Sequence, residues 1–154
     1  LATLLLCTAA PAFADGELNL YSSRHYDTDE RLYSDFEDAT GIKINRIEGN
    51  ADELSARMQA EGINSPADVL LTVDTSRLER AKDAGLLQSI DSTILEERIP
   101  NNLQDSDNQW WCGCSRCLYC FGSATNVAIS DKIRPSFLLG LFLFRIHTNV
   151  GFLT

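Results

Sequence analysis

The stretch LNLYSSRHYDTDERLYSDFEDATGIKINRI, residues 18–47, holds a strand pattern, a helix pattern and a second strand pattern in that order. LNLYS at 18–22 and IKINRI at 42–47 alternate apolar with polar residues, as half-covered strands do. Between them Leu32, Tyr33, Phe36 and Ala39 recur at i, i+1, i+4 and i+7, which gathers them on one side of a helix over 29–40. Asp27 followed three residues later by Glu30 reads as a capping box, and Gly41 suits the left-handed position after the last turn.

The same alternation continues downstream. A second helix is expected over 51–61, capped by Asn50 with Glu53, with Leu54 and Met58 facing the core and Gly62 as its stop. A Glu53–Arg57 ion pair at i,i+4 would support it. ADVLLTV at 67–73 is nearly continuous in apolar residues, as in a parallel strand covered on both faces. A third helix over 76–84 follows Asp74-Thr75 and ends at Gly85. The order β-α-β-α-β-α predicts an α/β fold, a parallel-rich sheet with flanking helices and right-handed crossovers. Ligands of such sheets gather beyond the carboxyl ends of the strands. That directs attention to the loops Ser22–Thr28, Glu48–Asn50 and Asp74–Ser76. No glycine-rich phosphate fingerprint opens any of the helices, so a nucleotide cofactor is disfavoured.

The first loop carries the chemistry. Arg24, His25 and Tyr26 stand in succession between a strand and a helix. A hard, highly charged cation such as ferric iron takes anionic oxygen, and a bound metal can displace the proton of a phenol that otherwise titrates near 10. Imidazole also suits iron. Arg24 would then hold a companion anion or balance the phenolate charge. Two donors do not close a coordination sphere, so further ligands would have to come from across a cleft. Read alone, the pair is better explained as a packed and hydrogen-bonded surface loop than as a metal site, because two donors are not a site. A metal-assisted hydrolase using His25 with Asp27 or Asp29 is a third reading, but no positioned nucleophile or second base accompanies it.

The composition sets the surroundings. The chain has 154 residues and a net charge of −9, an acidic balance that repels phosphate backbones and argues against nucleic-acid binding. Residues 1–14, LATLLLCTAAPAFA, form an apolar run ending in Ala12-Phe13-Ala14, the pattern of a partial secretory signal peptide cleaved after Ala14. Residues 15–111 hold no cysteine, whereas 112–154 hold four, with Asp131 as the one acidic residue and the apolar run FLLGLFLF at 137–144. The spacing Cys112-x-Cys114-x2-Cys117-x2-Cys120 could serve zinc, an iron–sulfur cluster or disulfides. The abrupt change of composition favours a shifted reading frame or an aberrant end over a separate metal module, and leaves 112–154 a tail of uncertain status.

The segments 19–49 and 51–74, continuing through AGLLQSI at 84–90 to Asp107–Trp111, resemble the ferric-iron-binding periplasmic proteins of bacterial ABC transporters, nearest their cyanobacterial branch. YSSRHY and SPADVLLTVD are the specific strings. The resemblance implies a type II periplasmic-binding-protein clamshell that closes on Fe3+, with or without a synergistic anion, and a monomer that serves an inner-membrane ABC permease. On that basis residues 15–111 form the first lobe, and His25 and Tyr26 match its metal ligands. The remaining ligands of the family are tyrosines of the second lobe, including an adjacent pair that this sequence lacks. Small organic cargo in the same fold, such as a polyamine, a phosphonate or an organic anion, is the alternative.

Overall fold

A computed structural model describes residues 16–112 and 120–124. The segment 1–14 that the sequence reads as a leader, Cys114, Cys117, Tyr119 and the apolar run at 137–144 lie outside the described residues.

The alternation read from the sequence is the alternation observed. β1 (Glu17–Ser22), α1 (Glu30–Thr40), β2 (Lys43–Glu48), α2 (Ala51–Glu61), β3 (Val69–Thr72) and α3 (Thr75–Asp83) follow in order. After them come β4 (Leu87–Gln88), α4 (Thr93–Arg98), β5 (Trp110–Cys112) and β6 (Cys120–Ala124). β1 pairs with β2 and with β3 in parallel, so all three strands end on one edge. The strand order among the described residues is β2-β1-β3-β6-β4, with β5 also paired to β6. β6 runs antiparallel to β3 along one edge and to β4 and β5 along the other. The sheet is therefore mixed: a parallel block of three strands extended by antiparallel pairing. β6 comes from beyond the change of composition at 112, and it pairs with the edge of β3 opposite β1.

Side-chain alternation sorts the core into two layers, because successive residues of a strand face opposite sides. Leu18, Leu20, Val69, Leu71, Trp111 and Phe121 face α1, meeting Leu32, Tyr33 and Phe36. Tyr21, Leu70, Trp110, Cys112 and Cys120 face the other way, toward Leu54 and Met58 of α2 and Leu78 of α3. Each fully buried Leu or Phe contributes about 1.5–3 kcal/mol of apolar transfer. Cys112 and Cys120 stand opposite each other in the β5–β6 register and form a disulfide, with Cα atoms 4.1 Å apart.

The helix ends follow the expected chemistry with two corrections. Gly41 takes φ 73° after α1, and Gly62 and Gly85 also have positive φ. Asn50 caps α2 by accepting from the Asp52 amide at 2.9 Å, and Asp74 caps α3 by accepting from the Arg77 amide at 2.9 Å. The capping box at Asp27 and Glu30 does not form. Residues 27–29 make a 3-10 turn instead, Asp29 takes the N-cap position, and neither terminus has a side-chain cap bond. The second correction concerns Arg57, which pairs with Glu61 at 2.7 Å rather than with Glu53. Glu61 also receives the Tyr21 and Ser65 hydroxyls at 3.0 and 2.8 Å, and this shared hub draws Arg57 toward the later turn.

Candidate metal-donor loop

Parallel pairing brings the three loops after β1, β2 and β3 to one edge. The Ser23 amide donates to Leu71 O at 2.9 Å and the Gly49 amide to Ser22 O at 3.2 Å, tying the three strand ends together. The loops then differ in what they offer. In the second and third, Asn50 and Asp74 are taken up as helix caps, and Asp74 also holds the Arg77 guanidinium and accepts from Ser76. The first loop turns two exposed rings, His25 and Tyr26, outward instead.

That loop is built from the inside. Ser22 is fully buried, and its hydroxyl donates to Arg24 O at 2.9 Å while accepting from the Arg24 amide at 3.1 Å. This small turn directs the Arg24 side chain inward, where its Nε donates to Asp29 Oδ2 at 3.0 Å and its Nη2 to Oδ1 at 3.4 Å. Both residues are buried, Arg24 at 5% and Asp29 at 1% exposure. Breaking such a pair by removing one partner typically costs about 3–5 kcal/mol, since the other charge is left buried and uncompensated.

On this base stand His25 and Tyr26. Tyr26 is 53% exposed, an uncommon state for so large a ring, and His25 is exposed beside it. Their rings stack with centroids 6.4 Å apart and planes at 24°. The Arg24 guanidinium carbon lies 4.9 Å from the Tyr26 ring centroid, a cation–π contact from the buried side. The sequence-predicted trio is thus brought together, with divided roles. His25 and Tyr26 face solvent at the carboxyl-end edge, and Arg24 supports them from beneath with its fork on Asp29.

The nearby Tyr33 is a phenol of the opposite kind. It is buried against the sheet with the Arg46 guanidinium 4.8 Å from its ring centroid. Burial, reinforced by the Asp29 charge, raises its hydroxyl above the ordinary value although Arg46 opposes this, so it stays protonated. Among the described residues no group of three or more His, Cys, Asp or Glu is placed to hold a metal. His25 and Tyr26 alone would leave the coordination sphere of a metal incomplete. Sequence reasoning named Asp29 only as a hydrolase candidate and missed it as the partner of Arg24, because its spacing from Arg24 matches no helix or strand periodicity.

No protein-family model matches the chain. Among curated proteins, it is 57% identical over 95 residues to Iron uptake protein A1 of Synechocystis sp., which covers 62% of this chain and 26% of the relative. It is 47% identical over 114 residues to Iron uptake protein A2 of the same organism, covering 74% of this chain and 32% of the relative. Among solved structures, the Trichodesmium protein IdiA/FutA in complex with iron and citrate superposes with a TM-score of 0.60 at 54% identity, over 62% of this chain and 30% of that one. The chain thus spans about a quarter to a third of the length of the relatives it matches.

Proposed function

Homology with the ferric-iron-binding proteins of bacterial iron uptake, whose fold is that of type II periplasmic binding proteins, is the premise from which we propose that this chain supplies one wall of an iron-capture site. Tyr26 and His25 are its metal donors, Fe3+ is the cargo, and the protein to which the wall belongs passes that cargo to an inner-membrane ABC permease. The observation that carries this reading is the exposed, stacked pair of rings at the carboxyl-end edge of the parallel strands, mounted on a buried ion pair.

The chemistry follows from the donor set. A phenolate oxygen matches a hard trivalent cation, and the adjacent imidazole adds a second donor without a second charge. Two donors from one wall hold iron weakly, so donors from a facing wall strengthen the site only when the walls approach. Iron then favours the closed state by the difference in affinity between closed and open forms. A small anion such as citrate would fill positions the protein leaves open. Export through the leader at 1–14, cleavage after Ala14 and action as a periplasmic monomer complete the proposal.

The test compares the chain with its Tyr26→Phe variant. Titration with ferric citrate, carried to the high concentrations that a weak two-donor site needs, should raise a visible tyrosinate-to-iron absorption band in the unaltered chain and none in the variant. Polyamine, phosphonate and organic-anion titrations serve as controls. Tight binding of one of these, unaffected by Tyr26→Phe and with no band from iron, would replace iron by an organic cargo.

A further inference from the structure

Asp29 occupies the N-cap of α1, where an aspartate ordinarily accepts from an amide of the first turn and contributes about 0.5–2 kcal/mol. Here it makes no such cap bond. Its carboxylate turns inward, where desolvating a charge is costly, and grips Arg24 with both oxygens. A local rule broken in this way within a loop beside a candidate site points to a role in that site.

The pair reaches Tyr26 through the guanidinium on its ring, and the backbone of Asp29 separately holds the Tyr26 carbonyl. The Asp29 amide donates to Tyr26 O at 2.8 Å, which fixes the backbone of the donor residue. The Arg24 guanidinium, oriented by the Asp29 carboxylate, lies 4.9 Å from the Tyr26 ring centroid and so limits where that ring can lie. Ser22 completes the clamp by closing its turn around Arg24. An exposed tyrosine on an open loop would otherwise sample several rotamers, and ordering it on metal binding would weaken capture.

We propose that the buried Arg24–Asp29 pair is the positioning device of the metal site, with Asp29 as its anchor, holding the Tyr26 ring in the orientation that receives iron. This rests on the reading of Tyr26 as an iron donor. Residues outside the coordination sphere that orient a ligand typically change metal affinity about 10–100-fold when altered.

The experiment uses two variants of the whole chain, with Tyr26→Phe as reference, each titrated with ferric citrate at a temperature where circular dichroism shows it folded. Arg24→Lys keeps a positive partner for Asp29 but removes the planar fork from beneath the ring. The double variant Arg24→Met/Asp29→Leu replaces the buried charges with apolar groups of similar bulk, an exchange that is often neutral or stabilising. Both should bind iron about 10–100-fold more weakly per folded molecule, with a shifted or weakened tyrosinate band for each iron bound. The band is what a merely structural pair would leave unchanged. Affinity within twofold of the unaltered chain, with the same band, in either folded variant would overturn the positioning role while leaving Tyr26 as donor. Iron binding that survives Tyr26→Phe would overturn the donor reading and the positioning role together.

Discussion

Gly122 decides whether β6 belongs in the sheet. It lies mid-strand, opposite Leu70 of β3 on one side and Trp110 of β5 on the other. A Cβ at this position would come within 2.8 and 2.9 Å of the two Leu87 methyls and 3.1 Å of Gln109 O. Leu87 is buried and cannot swing clear without displacing its neighbours, and the Gln109 carbonyl is backbone. Overpacking of this kind costs about 1–3 kcal/mol. Against it, replacing a strand glycine by alanine recovers about 0.5–1 kcal/mol of backbone entropy. The balance for Gly122→Ala is a loss of about 0–2.5 kcal/mol, centred near 1 kcal/mol. With a urea slope on the order of 1–2 kcal/mol/M, the unfolding midpoint should fall by about 0.5–1 M. Trp110 and Trp111, both buried in the neighbouring strand, report the transition by fluorescence. The sign carries the test: a midpoint that rises would mean that residue 122 faces open space and that β6 does not lie between β3 and the β4–β5 edge.

Other consequences can be read from single groups. The Cys112–Cys120 bridge closes a short loop with a sequence separation of 8, and reduction by dithiothreitol should lower stability by on the order of 2.5 kcal/mol in the chain-entropy relation, measured as a drop in the urea midpoint. Glu61 is held below its ordinary value near 4.5, first by its hydrogen bond from Arg57 and then by those from Ser65 and Tyr21. The folded chain therefore binds that proton less readily than the unfolded chain, so its contribution is present above about 4.5 and is lost as pH falls through the lower folded value. Urea midpoints measured from pH 6 to 3 should fall less steeply in Glu61→Gln, and an unchanged slope would refute the hub. Asp74→Ala should cost about 1 kcal/mol through loss of the α3 cap and speed amide exchange in the first turn of that helix.

The first three strands and helices were legible because each is specified locally. Leu18 and Leu20 alternate with polar neighbours, and Leu32, Tyr33 and Phe36 share one helix face, so periodicity places them without tertiary information. β6 was not legible. CFGSA has no alternation and a central glycine, and its place between β3 and the β4–β5 edge comes from pairings some fifty and thirty-five residues away. The aromatic pair stood out because His25 and Tyr26 lack an apolar reason to be adjacent in a short loop. The clamp beneath them was hidden. Asp29 looked like an ordinary helix-start acid, and Asp27 looked like the cap. Only the inward turn of Arg24, set by the Ser22 hydroxyl, converts Asp29 into a buried partner.

Resonance Raman spectroscopy of the ferric-citrate-loaded chain, excited within its visible band, puts the question to the metal–oxygen bond itself. Ring modes of an iron-bound tyrosinate in the unaltered chain, absent from Tyr26→Phe, are the expected result. The same modes persisting in Tyr26→Phe, or no tyrosinate modes in either, would contradict the assignment of Tyr26 as the phenolate that receives iron.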